Sequence, residues 1–296
     1  MPQSTNDACR VSSLYDGAWR RYEVTGEFSL ALSSNSSREW NSSEYHRLSQ
    51  PQVSWGKKVL ARLVLRGNEL ILDAGCGSGR LTADLLEALP EGRLIGIDLS
   101  QNMLQTARQH LEPKFRGHLD LVAADMTALP FVGVFDGIVS TAAFHWVMDP
   151  ACLFRNLFQS LRPGGWLQAQ CGGGTNIARL RARMQTLAQS PQYAPYLAGF
   201  PEPWVFLDAE PAAALLRGAG FVDVKTDLEP APTLLDSRQE YFDFVKAVIV
   251  RQHIERISDP DLQQQYVSEL TDRAAADDPP FLLDYWRLNM SAMVPK

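Results

Sequence analysis

The sequence lacks several features that would assign it to a common class at once. No apolar run approaches the ~20 residues that a membrane-spanning helix needs. The first ten residues, MPQSTNDACR, contain no basic stretch followed by an apolar one, so we expect no secretory signal and a cytoplasmic location. Lysine and arginine number 28 and the acidic residues number 34, which disfavours a nucleic-acid partner held through its phosphates.

Cysteine and histidine are also scarce. The four cysteines, Cys9, Cys76, Cys152 and Cys171, lie far apart and fit neither a disulfide framework nor a zinc site. The five histidines show no metal-ligand spacing, so we expect no metal. The composition, with 45% hydrophobic and 21% charged residues, is that of a globular protein with a core of ordinary size.

The chain from residue 50 onward alternates apolar runs with helical patterns. Five runs have the character of buried strands: LILDAG, RLIGID, LDLVAAD, FDGIVST and WLQAQCG. Apolar strands that alternate with helices indicate a parallel sheet covered on both faces. Because crossovers between parallel strands are right-handed, the pattern predicts an α/β fold with a Rossmann-like, doubly wound, seven-stranded and mostly parallel sheet.

Three parts of the chain are predicted. Residues 1–50 form an N-terminal extension rich in Ser and Asn, residues 51–175 form the cofactor-binding core, and residues 176–296 complete the sheet. Helical insertions are expected after the fifth and sixth strands, including one helix over 236–257. Because open α/β sheets bind ligands at the carboxyl ends of their strands, we expect the insertions and the extension to form a lid there.

The turn after the first strand, DAGCGSGR, carries the strongest chemical signal. Gly75, Gly77 and Gly79 let the backbone approach a ligand, but their spacing is not the G-x-G-x-x-G of dinucleotide sites. Asp73 would repel a phosphate and suits an ammonium or sulfonium group. Cys76 occupies a position that requires a small residue, and we expect its thiol to be inert.

Acidic residues also close the next two strands. Asp98 ends the second strand, where a carboxylate accepts hydrogen bonds from both hydroxyls of a ribose. Asp125 ends the third, where a carboxylate can accept a hydrogen bond from an adenine amino group. A single acid at a strand end often only caps the next helix, but three at consecutive strands indicate a ligand-binding edge.

These motifs together resemble the class I S-adenosylmethionine-dependent methyltransferases over roughly residues 50–175. LDAGCGSGRLT resembles the first motif of the family, GIDLSQNML its ribose motif, AADMTALPF its adenine motif and LRPGGWL its turn into the fifth strand. The resemblance implies S-adenosylmethionine as cofactor and S-adenosylhomocysteine as product. It implies a set of cofactor-binding residues: Asp73, Gly75, Cys76, Gly77 and Gly79 at the turn, Asp98 on the ribose, Leu99 and Met103 against adenine, Asp125 and Met126 on its edge, and Ser140 near the sulfonium.

His145 and Trp146 follow the fourth strand in STAAFHW. This pair, with the aromatic segment EWNSSEYHRLSQPQVSW, is similar to trans-aconitate methyltransferase-like enzymes and to carboxyl methyltransferases of the salicylate type. The resemblance implies that Trp146 donates its indole N–H to a substrate carboxylate. We therefore predict O-methylation of a small carboxylate by a monomer or homodimer. The alternatives are C-, N- or phenol O-methylation with His145 as the base, and a non-catalytic cofactor-binding protein.

Overall fold

Nine strands are present in the computed structural model, which describes residues 39–40 and 50–296. They are β1 (Leu70–Ala74), β2 (Arg93–Asp98), β3 (Leu119–Ala123), β4 (Phe135–Thr141), β5 (Leu161–Gly172), β6 (Val222–Pro230), β7 (Thr233–Leu234), β8 (Leu282–Leu283) and β9 (Trp286–Met293). Seven of them form one sheet in the order β3-β2-β1-β4-β5-β9-β6, and β7 pairs with β8 separately.

The pairing of the strands confirms the predicted Rossmann-like sheet. The five strands β3, β2, β1, β4 and β5 run parallel to one another, while β9 lies antiparallel between β5 and β6. The order reverses between β1 and β4, and such a switch point opens a crevice at the carboxyl ends of the strands. The glycine-rich turn follows β1 directly, so the fold places this turn at the crevice.

Ten α-helices accompany the strands within the described residues. They are α1 (Gln50–Leu60), α2 (Arg80–Glu87), α3 (Gln101–Phe115), α4 (Pro150–Ser160), α5 (Ala178–Ala188), α6 (Ala194–Leu197), α7 (Ala209–Ala219), α8 (Arg238–Phe244), α9 (Arg251–Ile254) and α10 (Pro260–Ala275). Ser100 caps α3 by accepting a hydrogen bond from the backbone N–H of Met103. None of these helices has the length and apolarity that a membrane span requires.

The helix predicted over 236–257 is interrupted in the structure. A π-helical turn, Val245–Ile249, separates α8 from α9. This segment reads VKAVI, and branched side chains lose rotamer freedom in an α-helix, which weakens the regular hydrogen-bond pattern there. Burial of Val245 and Ile249 in the surrounding insertions stabilises the wider turn.

The helical insertions after β5 and β6 form an apolar core of their own. Three fully buried tyrosines, Tyr193, Tyr241 and Tyr266, lie in this insertion core together with Trp55 of α1. A second core packs the central strands against α4 and α7. The insertions are thus a packed layer rather than loose loops. The predicted extension falls almost wholly outside the described residues, so the predicted three-part division stays a prediction.

Candidate active site

The glycine-rich turn leaves β1 with its backbone in the left-handed region. Gly75, Gly77 and Gly79 have φ angles of +85°, +56° and +81°, a region that strains most other residues. A Cβ at Gly75 would lie 2.3 Å from that of Ala143, so packing requires glycine at this position. A Cβ at Gly77 would meet nothing within 4 Å. Gly77 therefore faces open space, where a ligand can approach the backbone.

Asp98 lies beside this turn and is held by backbone donors. Its two carboxylate oxygens accept hydrogen bonds from the N–H groups of Gly77 and Ser100, each at 2.9 Å. Burial raises the pKa of Asp98 and the negative charge of Glu39 raises it further, while the backbone donors act in the opposite direction. Each oxygen can accept a second hydrogen bond, so the carboxylate retains capacity for a pair of hydroxyl groups.

Asp73 is a second buried carboxylate at the turn. It is 4% exposed and accepts a hydrogen bond from Thr82 Oγ1 at 2.7 Å. Burial raises the pKa of Asp73 to about 6, and repulsion from Asp98 contributes in the same direction. Two carboxylates beside an open stretch of backbone repel phosphate and are stabilised by a cation. These residues fit a ligand that carries both a ribose and a positively charged sulfonium group.

Cys76 is enclosed within the turn. Its side chain is 8% exposed. Its Sγ lies only 3.1 Å from the position that a Cβ at Gly96 would take, so a side chain larger than cysteine would not fit at position 76. Burial strongly raises the pKa of the Cys76 thiol, with the charges of Asp73 and Asp98 acting in the same direction. The thiol is protonated at neutral pH, which is the condition of an unreactive cysteine.

Two further residues predicted to bind the cofactor already have intramolecular partners. One oxygen of Asp125 accepts hydrogen bonds from the backbone N–H and the hydroxyl of Thr127, at 2.8 and 2.7 Å. Ser140 is 1% exposed and donates its hydroxyl hydrogen to the Ala74 carbonyl at 2.7 Å. The hydroxyl of Ser140 thus joins β4 to β1, and the contact of this residue with a sulfonium stays a prediction.

The apolar residues predicted to contact adenine lie around the same turn. Met126 is buried, and its Cε is 3.6 Å from the position that a Cβ at Gly75 would take. Met103 is 3% exposed in the first turn of α3, and Leu99 is half-buried. The placement of these side chains agrees with an apolar slot, while their contact with adenine stays a prediction.

His145 and Trp146 lie in one turn of 3₁₀ helix after β4. Ala142, with φ of +57°, turns the chain at the end of the strand. Nδ1 of His145 accepts a hydrogen bond from the Gly172 N–H at 3.4 Å, which places the ring proton on Nε2. Burial lowers the pKa of His145 to about 3, and the positive charge of Arg287 contributes. At neutral pH His145 is therefore an N–H donor and a poor base.

Aromatic rings surround Trp146. Trp204 stacks on it with ring centres 5.9 Å apart, and Trp40 meets it edge-on at 5.5 Å. The ring of Phe206 lies 5.7 Å from that of His145. We call Trp40, His145, Trp146, Trp204 and Phe206 the aromatic cluster. It combines apolar faces with few N–H donors, an arrangement that orients a planar polar group without protonating it.

Trp204 and Phe206 are not among the site residues that the sequence predicts. They lie in the connection between α6 and α7, and the backbone N–H of Val205 donates to the His145 carbonyl at 2.8 Å. This hydrogen bond holds the segment against the 3₁₀ turn. The only signal in the sequence was the concentration of proline and aromatic residues in PEPWVF.

Glu39 attaches the described part of the N-terminal region to α3. Its carboxylate accepts hydrogen bonds from the backbone N–H groups of Gln101 and Asn102, both at 3.1 Å, and from Ser100 Oγ at 3.0 Å. The adjacent Trp40 belongs to the aromatic cluster. This short segment therefore bridges the Asp98 side of the crevice and the aromatic cluster.

The sheet order and the open glycine turn with Asp73 and Asp98 beside it define an α/β protein with a ligand-binding crevice at the carboxyl ends of its strands. A sequence profile described as "Methyltransferase domain" matches residues 71–165. Trans-aconitate 2-methyltransferase from Deinococcus radiodurans is 27% identical over 75% of this chain and 85% of that protein. The enzyme of the same name from Methylobacterium radiotolerans is 30% identical over 67% and 70%.

A solved structure supports the same assignment of fold. Phosphoethanolamine N-methyltransferase 2 from Haemonchus contortus, in complex with S-adenosyl-L-methionine, superposes with a TM-score of 0.54 over 82% of this chain and 53% of that one, at 16% identity. The chain belongs to the class I S-adenosylmethionine-dependent methyltransferases, in the group that includes the trans-aconitate 2-methyltransferases.

Proposed function

We propose that this enzyme transfers a methyl group to a carboxylate oxygen of a small acid. The observation that carries the proposal is the chemistry of the aromatic cluster, which offers N–H donors and no base. His145 has its Nδ1 engaged by the Gly172 N–H, and burial lowers its pKa to about 3. An acceptor that is ionised at neutral pH needs no base, and a carboxylate meets this condition.

Trp146 is the residue we propose to orient the acceptor. An indole is a donor only, so it can hold a carboxylate without removing or supplying a proton. Trp204 and Trp40 pack against Trp146 and limit the movement of its ring. A fixed donor contributes to the alignment of the acceptor oxygen, and alignment supplies up to ~7–11 kcal/mol in displacement reactions of this kind.

We propose that the open side of Gly77, together with Asp98 and Asp73, holds the cofactor. When bound, S-adenosylmethionine supplies an electrophilic methyl group on a positively charged sulfur. In this proposal Asp98, which already accepts from the Gly77 N–H, also accepts hydrogen bonds from the ribose hydroxyls, and Asp73 adds a negative charge that favours a cation. On the other side of the turn, the buried side chains of Met103 and Met126 exclude water, which strengthens these electrostatic interactions.

The alternative with His145 as a general base for a phenol or amine has less support, because its basic nitrogen is occupied and its pKa is low. The effect of His145→Gln on kcat at saturating cofactor distinguishes the two. A general base predicts a loss of about 10²–10⁴-fold, whereas carboxyl transfer predicts a loss of at most about tenfold, the effect of one altered hydrogen-bond donor. The non-catalytic alternative predicts cofactor binding without any transfer.

The direct test of the proposed function is transfer of labelled methyl from S-adenosylmethionine to small carboxylic acids, phenols and amines, followed by mild base. We expect label on a carboxylic acid that base releases as methanol, because methyl esters hydrolyse under these conditions. Base-stable label on a phenol or an amine would contradict carboxyl transfer and favour the alternative with a base.

We further propose a cytoplasmic enzyme, monomeric or homodimeric, without a nucleic-acid partner. The net charge of -6 supports the last of these points, because an acidic protein repels phosphates. Light scattering coupled to size exclusion would measure the oligomeric state, and cell fractionation would measure the location. Retention on immobilised nucleic acid would contradict the absence of such a partner.

A further inference from the structure

The segment 201–206, PEPWVF, carries Trp204 and Phe206 of the aromatic cluster on a stiff backbone. Pro201 and Pro203 fix their own φ angles, and a residue that precedes a proline is restricted to extended conformations. Neither proline has an N–H group, so the segment has fewer backbone donors with which to attach itself to its neighbours. Side-chain contacts therefore have to supply much of what holds the segment in place.

Glu202, which lies between the two prolines, attaches the segment to α5 of the helical insertions. The guanidinium of Arg181 donates to both carboxylate oxygens of Glu202, at 3.0 and 2.5 Å, and Nε2 of Gln185 donates to one of them at 3.2 Å. Two parallel hydrogen bonds from one guanidinium fix the orientation of a carboxylate as well as its distance. Leu180 and Met184 of α5 are buried in the insertion core, so Glu202 is attached to a packed helix.

The ion pair between Arg181 and Glu202 is better shielded from water than an ordinary surface pair. Its side chains are 27% and 34% exposed, whereas Arg217 and Glu210, which pair within α7, are 53% and 80% exposed. Exposed ion pairs are screened by water and contribute little. The guanidinium of Arg181 also lies 5.4 Å from the ring centre of Phe206, so one arginine contacts two residues of the segment.

The segment held in this way contacts the residues that we propose for the acceptor half. Trp204 stacks on Trp146, with ring centres 5.9 Å apart. The ring of Phe206 lies 5.7 Å from that of His145. The backbone N–H of Val205 donates to the His145 carbonyl at 2.8 Å. A displacement of the segment would therefore change the position of the indole N–H of Trp146.

Close packing does not hold Trp204 on every side. A cavity of about 50 Å³ lies beside it, lined by Trp204, by the three hydrogen-bonded residues Arg181, Gln185 and Glu202, by the ring of His253 and by apolar side chains. A side chain beside a void lacks the van der Waals contacts that would resist its displacement. The hydrogen bonds of Glu202 resist a shift of Trp204 into this space.

We infer that Glu202 is a positioning residue for methyl transfer, acting through Trp204 on Trp146. The catalytic consequence of this inference rests on the proposed carboxyl transfer. While Glu202 is paired with Arg181, the segment keeps one position relative to α5, and the stacked indoles direct the N–H of Trp146 at the acceptor carboxylate. Loss of the pair lets the segment shift and misaligns the acceptor oxygen, and a misplacement of about 1 Å can cost about 100-fold in rate.

The kinetic test uses Glu202→Gln, Arg181→Gln and the double variant, with the carboxylic acid that releases the most methanol in the labelled-methyl assay. We expect each single variant to lower kcat about 10- to 100-fold while KM for that acid changes less than about threefold, because alignment acts in the transition state. The double variant should be no slower than the slower single variant, because the two residues act as a unit.

Glu210→Gln is the matched control, since it breaks an exposed glutamate–arginine pair elsewhere in the chain. Calorimetry with S-adenosylhomocysteine should give the same affinity and stoichiometry in every variant, which shows that the protein remains folded. Losses that add up in the double variant, or an equal loss in Glu210→Gln, would overturn the inference.

A second readout does not depend on the acceptor. Stacked indoles couple in the near-ultraviolet circular dichroism spectrum, and Trp204→Phe identifies the part of the signal that comes from Trp204. We expect Glu202→Gln to reduce this part and Glu210→Gln to leave it unchanged. An unchanged signal in Glu202→Gln would overturn the positioning role. If no carboxylic acid accepts methyl, the proposed function fails, and the dichroism still decides whether Glu202 positions Trp204.

Discussion

The two halves of the candidate site are built in different ways. The cofactor half consists of backbone turns and carboxylates that directly follow β1 and β2, within residues 73–100. The acceptor half draws side chains from residues 40, 145–146, 204 and 206, which only the tertiary structure brings together. The first half is built within one stretch of sequence, whereas the second depends on the path of the insertions.

The largest expected effect concerns the cofactor half. Asp98→Ala removes the acceptor proposed for the ribose hydroxyls and also the partner of the Gly77 and Ser100 N–H groups. Two lost hydrogen bonds to a charged group predict about 100-fold weaker binding of S-adenosylmethionine, measured by calorimetry.

Asp120→Ala is the matched control for this variant. Asp120 lies on the neighbouring strand β3, where it is exposed and pairs with Arg93 at 2.8 Å. We expect this variant to bind the cofactor as the parent protein does, because exposed ion pairs contribute little. Unchanged affinity in Asp98→Ala would remove Asp98 from the cofactor site.

The next effect tests whether the acceptor half is independent of the cofactor half. Trp146→Phe keeps an aromatic ring and deletes the indole N–H. We expect kcat/KM for a carboxylate acceptor to fall about 10- to 100-fold, the contribution of a hydrogen bond to a charged group, with cofactor affinity unchanged. A parallel loss of cofactor affinity would contradict the separation into two halves.

A smaller effect concerns the charge of Asp73. Because burial raises its pKa to about 6, the proton must leave before Asp73 can favour a cation, so cofactor affinity should fall about tenfold between pH 7 and pH 5. The folding stability of the protein without cofactor depends on pH in the opposite direction. A pKa raised from 3.8 means that this group's contribution to folding is present below about pH 4 and is lost as the pH rises through 6. Calorimetry at several pH values should show the first trend, and Asp73→Asn should remove it.

The smallest effect concerns the segment that bridges the two halves. Glu39→Gln keeps the shape of the side chain and weakens its charge-assisted hydrogen bonds to the first turn of α3. We expect a loss of about 0.5–1 kcal/mol in the free energy of unfolding, typical of a weakened helix cap. The urea midpoint measures it, and Glu91→Gln at an exposed turn is the control.

The sequence signals of the cofactor half are local. Glycine spacing and the acids at strand ends follow from backbone geometry within one βα unit, so the sequence alone predicts that Gly77 and Asp98 lie together at one edge of the sheet, as the structure shows. Their role in binding the cofactor stays a prediction. The left-handed turn at Ala142 and the π-helical turn Val245–Ile249 could not be predicted, because tertiary packing stabilises each of them against its local preference.

The acceptor half could be predicted only in part. The resemblance of STAAFHW to a known family predicts a role for Trp146, but Trp204 reaches Trp146 through the hydrogen bond between Val205 and His145, for which the sequence has no signal. Contacts of this kind depend on the path of the insertions, for which a single sequence carries no periodic signal.

A crystal structure of the protein with S-adenosylhomocysteine and an acceptor acid tests the division into two halves most directly. We expect the nucleoside against the open side of Gly77 with its ribose hydroxyls on Asp98, and the acceptor carboxylate on the N–H of Trp146. A nucleoside bound elsewhere, or an acceptor whose carboxylate points away from Trp146, would contradict it.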